Sequence, residues 1–476
     1  MLDNLPLIVF LICFVLMFVL RMPIPTGMIA ACTMYFLTDG LVDGNSFIGM
    51  ITGQEGQLHL VAQKTIEAIF TNTTIIAVPL FIFAANVMNA GKITEYVFGV
   101  CKGLVGRFPG GLAHVNVLAS LVFSGMTGSA VADASGLGKM EIDAMRAEGY
   151  DDGFSCAITA ASATIGPIFP PSIPAVIYAM LTGASVGALF MAGMMPGVIL
   201  AVCLCVYVAF ISKKRNYPKS APPQLGAYLR YCFKAIWALL TPVILLVGIY
   251  TGVMTPTEAG AIAGAYALLV AILVYHILNW EGLKTPTEAG AIAGAYALLV
   301  AILVYHILNW EGLKQVIFDT VKGTGSVSIM VGAASAISFI FAKEQIGVRL
   351  GNWITSFTDS KYVFLIMVNI IILVLGMFVD TSVIQLVMIP ILWPVAQQFD
   401  VNIIHFGLII IFNMMLGLST PPFGMCLFIT SGISGTPLKN VIKEIWGPIV
   451  VMLIVLLIIT FIPNSVLFLP KLFGLM

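Results

Sequence analysis

The sequence predicts an all-α polytopic membrane protein made of two inverted-topology repeats, each with a re-entrant hairpin and a broken helix. Three observations predict it. The 476 residues are 60% hydrophobic and 9% charged, where a soluble domain carries roughly 45–50% and 25%. Two apolar runs are interrupted by proline pairs, 164-TIGPIFPPSIP-174 and 416-LGLSTPPFGM-425, where a span should wind without a break. Each interruption follows a segment bearing an aspartate, Asp133 or Asp380, which a bilayer core disfavours by at least about 2.5 kcal/mol.

The run 5–20 approaches the length a span needs and is followed at once by further apolar segments. It lacks a small-residue cleavage site, so it reads as a retained span. Arg21 snorkels to the interface beside its PIP break. Residues 42–75, with Gln57, His59, Lys64 and Glu67 among apolar neighbours, read as an interfacial amphipathic helix able to bear on a partner subunit. A hairpin over 111–146, a broken helix over 154–182 and a span over 187–212 complete the first repeat, 1–212. The cationic, proline-rich linker 213-KKRNYPKSAPPQLG-226 follows. The second repeat, 227–476, carries spans at 234–252, 259–279 and 324–342, a hairpin over 355–397 and a broken helix over 404–430.

The two halves align. Asp133 in 124–142 stands opposite Asp380 in 371–389, 247 positions later (380 − 133), and 166-GPIFPP-171 matches 417-GLSTPP-422, 251 positions later (417 − 166). Cations mark the cytoplasmic ends of spans. Lys102 and Arg107 precede the first hairpin, and Lys139 and Arg146 lie toward its end, so both arms open to the cytoplasm. The second hairpin enters from outside, and 404–430 returns toward Lys439 and Lys443. The repeats are therefore inverted, a common plan in transporters. One feature disturbs the count: residues 255–284 recur unchanged at 285–314. Ancient repeats diverge, and one added crossing would reverse every later segment. One copy is expected to be an artefact, or an insert that does not span.

Several classes are excluded. Net charge is zero, without the basic stripe that nucleic acid requires. The eight cysteines and five histidines show no metal spacing, and there is no GxxxxGK[ST] phosphate loop. No cofactor or transition metal is expected.

The chemistry concentrates at the hairpin tips, 127-TGSAVAD-133 and 376-GMFVDTS-382. Opposite each tip, prolines remove backbone donors and leave carbonyls unpaired. Such backbone survives at mid-membrane only when buried or lining a cavity. Carbonyls, hydroxyls and one carboxylate make a hard oxygen cage suited to Na⁺. The half-helices starting near Ser172 and Phe423 turn positive ends toward an anionic substrate. The plainer alternative is that the proline pairs kink helices and each aspartate caps one. Glu258 reads as a first-turn cap, and Lys343, Glu344 and Arg349 as an interface anchor. Two pseudo-symmetric sites argue against a membrane-embedded enzyme and for occlusion rather than an open channel. So few carboxylates favour Na⁺ over H⁺.

The motifs 78-VPLFIFAANVMNAGKI-93, 128-GSAVADASGLG-138, 164-TIGPIFPPSIP-174, 189-LFMAGMMPG-197 and 417-GLSTPPFG-424 together resemble the large membrane subunit of tripartite ATP-independent periplasmic (TRAP) transporters. The resemblance covers the chain apart from the duplicated segment. It implies an elevator in a bacterial inner membrane, in which hairpins and broken spans move against a scaffold enlarged by a small membrane subunit. A periplasmic binding protein would deliver an organic acid, of C4-dicarboxylate or sialic acid type, and Na⁺ would drive uptake. Carried over by position, the resemblance assigns a first ion site to Ser129, Asp133, Thr164 and Gly166. A second falls to Gly376, Asp380, Thr381, Gly417 and Thr420, and substrate lies near Ser129, Pro170, Ser172 and Pro421. The second tip, MFVDTS, departs from the regular pattern. A stand-alone Na⁺/carboxylate symporter is the alternative reading.

Overall fold

A computed structural model describes residues 5–20, 22–51, 56–71, 93–220, 225–250 and 310–475, with a few positions between 254 and 266. Most of the motif 78–93, Arg21, most of the expected span 259–279 and nearly all of the duplicated segment lie outside the described residues. Every regular element among those described is an α-helix.

The first hairpin pairs Gly111–Thr127 with Ala130–Ala147. The turn between them is two residues. Gly128 adopts φ 58°, and the Ser129 hydroxyl accepts from the Ala132 N–H at 3.4 Å to cap the inner arm. The first broken span runs as Asp152–Ala163 and Ile173–Thr182 with turns between. Ser172 caps the second piece, accepting from Ala175 N–H at 3.1 Å. In the second half the hairpin pairs Lys361–Gly376 with Thr381–Gln398, and the broken span runs as Ile403–Leu418 and Met425–Ser434. Asn402 caps that span through its side-chain oxygen, 2.9 Å from Ile404 N. Serine, aspartate and asparagine at these starts satisfy amides that a helix leaves unpaired. Both proline pairs, Pro170–Pro171 and Pro421–Pro422, are cis.

Packing exchanges elements between halves. The first hairpin's inner arm lies on Asp152–Ala163 of its own half and on Met425–Ser434 of the other. The second hairpin's inner arm lies on Ile403–Leu418 of its own half and on Ile173–Thr182 of the other. Arg146 ties the first exchange at its base, donating to Ser434 O at 2.7 Å, Thr436 Oγ1 at 2.6 Å and Asp152 Oδ1 at 2.7 Å. One large apolar core runs through these elements and through Val186–Arg215 and Leu438–Phe461. Those two helices are individually long and apolar enough to cross a membrane.

A second core gathers Leu5–Val19, Ile24–Val42 and His59–Thr71 against the long helix Trp310–Lys343, around Phe10, Met28, Tyr35 and Ile337. The expected amphipathic helix is thus two pieces, Phe47–Ile51 and His59–Thr71, the latter packed along another helix. Lys64 and Glu67 pair at 2.9 Å, and Lys64 Nζ also lies over the Phe339 ring of that helix, 5.7 Å from its centroid. Trp310–Lys343 bends by 59° into Ile346–Thr355. The cluster beside this bend ties helices together: Lys343 Nζ meets Asp39 at 2.6 Å, the Tyr35 hydroxyl donates to Glu344, and Arg349 lies 3.8 Å from Glu344. Glu258 accepts from Thr255 N–H at 2.8 Å, as a first-turn cap does.

Candidate cation and substrate site

Each hairpin tip touches the break of its own span through glycine. A β-carbon on Gly128 would lie 2.6 Å from the Pro171 carbonyl oxygen, and one on Gly166 would lie 3.7 Å from the Ser129 carbonyl oxygen. In the second half, a β-carbon on Gly417 would lie 2.6 Å from the Gly376 Cα. Backbone therefore meets backbone in both places, which a side chain would prevent. The second break also reaches the last turn of Asp152–Ala163, since Ser419 Oγ donates to the Ala160 carbonyl at 2.9 Å. The motif 189–197 abuts the first break, because a β-carbon on Gly193 would collide with the Ile168 carbonyl oxygen.

Pro167, Pro170 and Pro171 contribute no N–H, so the turns at 164–172 hold more carbonyls than donors. The hydroxyls nearby keep their lone pairs. Thr164 Oγ1 donates to Ala161 O at 2.6 Å and Thr420 Oγ1 to Leu416 O at 2.7 Å. Both threonines are buried. Ser172 Oγ donates to Pro167 O and so braces the break. Pro170 is buried beside it, and Pro421 and Thr381 are half-buried.

The two aspartates differ. Asp380 is half-buried and is the N-cap of its helix, Oδ1 accepting from Ser382 N–H at 2.9 Å. Asp133 is 1% exposed, and neither carboxylate oxygen has a hydrogen-bond partner. The Ser120 hydroxyl is directed at it without closing a bond of sound geometry. Asp133 lies in the first turn of its helix and within electrostatic reach of Cys426, near the start of Met425–Ser434. Both helix starts favour negative charge. A carboxylate buried this way is tolerated when a cation or proton neutralises it.

The structure thus joins Ser129 with Gly166 and Gly376 with Gly417. It holds Asp380 on its own backbone and links neither Thr164 nor Thr420 to a tip side chain. Behind each tip it adds an amide network that sequence reading missed. Asn116 Nδ2 donates to Thr159 Oγ1 at 2.7 Å, and Ser162 Oγ donates to Asn116 Oδ1 at 2.6 Å. In the other half, Asn413 Nδ2 donates to Asn369 Oδ1 at 2.8 Å, and Asn369 Nδ2 to Thr460 Oγ1 at 3.0 Å. Each network fastens a hairpin's outer arm to the first piece of the adjoining broken span. Asn116 and Asn369 stand 253 positions apart (369 − 116), two positions beyond the 247–251 offset of the hairpin tips and breaks; that near-match was the available signal.

A family model described as "Tripartite ATP-independent periplasmic transporter, DctM component" matches residues 11–283 and 277–465. The chain belongs to this family. It is 36% identical over 427 residues to the sialic acid TRAP transporter large permease protein SiaM of Vibrio cholerae, covering 89% of this chain and 92% of that protein. It is 31% identical over 401 residues to the C4-dicarboxylate TRAP transporter large permease protein DctM of Pseudomonas aeruginosa, covering 84% and 87%. It is 34% identical over 399 residues to the sialic acid TRAP transporter permease protein SiaT of Haemophilus influenzae, covering 84% of this chain and 60% of that longer protein. These relatives are transport permeases, so the chain is a membrane transporter component and not an enzyme. In a family of tripartite transporters, a small membrane subunit and a periplasmic binding protein are its partners.

Proposed function

We propose that this chain takes up an organic acid across the bacterial inner membrane, driven by Na⁺, after a periplasmic binding protein delivers the substrate. The observation that carries this reading is the pairing of a hairpin tip with a proline-broken span, made twice, with Ser419 of the second break bonded to Ala160 at the end of the helix before the first. One cation would be held by Ser129 and Thr164 with carbonyls near Gly166, and balanced by Asp133. A second would be held by Thr381, Thr420 and carbonyls at Gly376 and Gly417, with Asp380 ordering the tip. The substrate carboxylate would sit near Ser129, Pro170, Ser172 and Pro421, at the positive ends of two half-helices.

The exchanged packing supports an elevator, because hairpins and broken spans from both halves are interlocked into one unit. The helices gathered on Trp310–Lys343 would form the scaffold, and their core, which also takes in Ile177, Val383, Leu386 and Val387, would include the face along which the moving unit slides. The sialic acid and C4-dicarboxylate relatives make these two acids the first substrates to test. Liposomes holding this chain, its small subunit and an outside binding protein should accumulate labelled acid only under an inward Na⁺ gradient. Uptake by this chain alone would favour a stand-alone symporter, and uptake without a gradient would overturn the coupling.

A further inference from the structure

Glu141 lies on the inner arm of the first hairpin, two turns beyond Asp133, and none of the roles above uses it. Its side chain is 1% exposed, and Oε1 has no hydrogen-bond partner. Eight residues of helix at about 1.5 Å each separate the two carboxylates by about 12 Å, and Glu141 feels the Asp133 charge. Buried beside it are Leu137, Ile142 and Met145.

The charged and titratable neighbours leave Glu141 unpaired. On Ile93–Val105, Cys101 is within electrostatic reach, and Lys102 is engaged by Glu148 at 3.3 Å. Gly111–Thr127 offers His114 near its start, against Phe108. Asp152–Ala163 offers Asp152, held by Arg146, and Cys156, which faces Ser434 and Thr436. Met425–Ser434 offers Cys426, buried near Asp133. Among the described residues, no Lys or Arg pairs with Glu141.

The two buried acids therefore need different partners. Asp133 lies one turn from Ser129, whose backbone adjoins Gly166 in a break where Pro167, Pro170 and Pro171 supply no N–H. At Glu141 the helix is unbroken, so its carbonyls are spent on the helix itself, and the several oxygens a hard cation requires are missing. A lone buried carboxyl in that setting is neutralised by a proton.

We propose that Glu141 is a proton-binding site linked to the cation site at Asp133, so that a proton held at Glu141 weakens cation binding across the inner arm. This rests on the reading of Asp133 as part of a cation site. Ionised Glu141 attracts a cation to Asp133, and a cation at Asp133 eases ionisation of Glu141. Linkage makes the two effects equal. Two unit charges about 12 Å apart at an effective dielectric of about 20 change affinity about tenfold.

The test is Na⁺ binding by the purified complex of this chain and its small subunit, measured at about pH 6 and about pH 9 for wild type and Glu141→Gln. The two proteins should bind alike at the acid end, and at the alkaline end wild type should bind about tenfold more tightly. Glu141→Asp should restore the alkaline gain. A structural role alone would shift the variant equally at both pH values, and parallel curves would overturn the proposal. Should the Glu141→Gln protein fail to insert, Glu141→Met, which buries no hydrogen-bonding amide, provides the same comparison. Failure of the underlying reading looks different: Asp133→Asn would then bind Na⁺ as wild type does.

Discussion

Replacing Gly417 with alanine tests the contact between the second tip and its broken span most directly. The added β-carbon would lie 2.6 Å from Gly376 Cα, 2.7 Å from its carbonyl carbon and 2.9 Å from its oxygen. All three are backbone atoms, so no side chain can swing aside. Ordinary contact begins near 3.4 Å, so tip and break must part by about 0.8 Å, and overpacking of this kind costs about 1–3 kcal/mol. A shift of that size is large beside a metal–oxygen bond. If the strain is relieved by opening the cage, Na⁺ half-saturation of uptake should rise about five- to hundredfold, at about 1.4 kcal/mol per factor of ten. The assay is Na⁺-dependent uptake in liposomes with both partners, with insertion checked by size-exclusion chromatography. Gly432→Ala is the control, because nothing lies within 4 Å of a β-carbon there. A Gly417→Ala protein that inserts normally and keeps its Na⁺ dependence within twofold would refute the reasoning.

Asp133→Asn should abolish Na⁺-driven uptake while membrane insertion persists, whereas Asp380→Asn should retain part of it, because asparagine caps a helix about as well as aspartate; equal losses in the two variants would contradict their different settings. Asn116→Ala removes the partner of Thr159 and Ser162 and should lower stability by about 1–3 kcal/mol, read as a fall in unfolding temperature in detergent. Asn369→Ala should do the same in the other half. Arg146→Ala loses contacts to Ser434, Thr436 and Asp152 and should lower the unfolding temperature more than Arg107→Ala. A ranking in the reverse order would show that the exchange between halves is not held at its base.

The sequence by itself determined an all-helical membrane protein and where two of its helices are interrupted. These follow from local rules: apolar length, proline without an N–H, and serine, aspartate or asparagine at helix starts. Breaks expected at 164–174 and 416–425 occur at 164–172 and 419–424. The large-subunit family was legible in five short motifs, several of them places where backbone must pass close to backbone or turn sharply. Long-range contact was not legible. Only the tertiary structure placed Ser419 against Ala160 and crossed each inner arm onto the other half. It also separated Asp133, buried without a partner, from Asp380, spent on its own helix. Glu141 passed unnoticed because its neighbours in sequence, Lys139, Asp143 and Arg146, suggest a solvated end. Its burial is set by helices that lie far away along the chain. Charge and period are written in consecutive residues, but the surroundings of a side chain depend on which segments fold onto it.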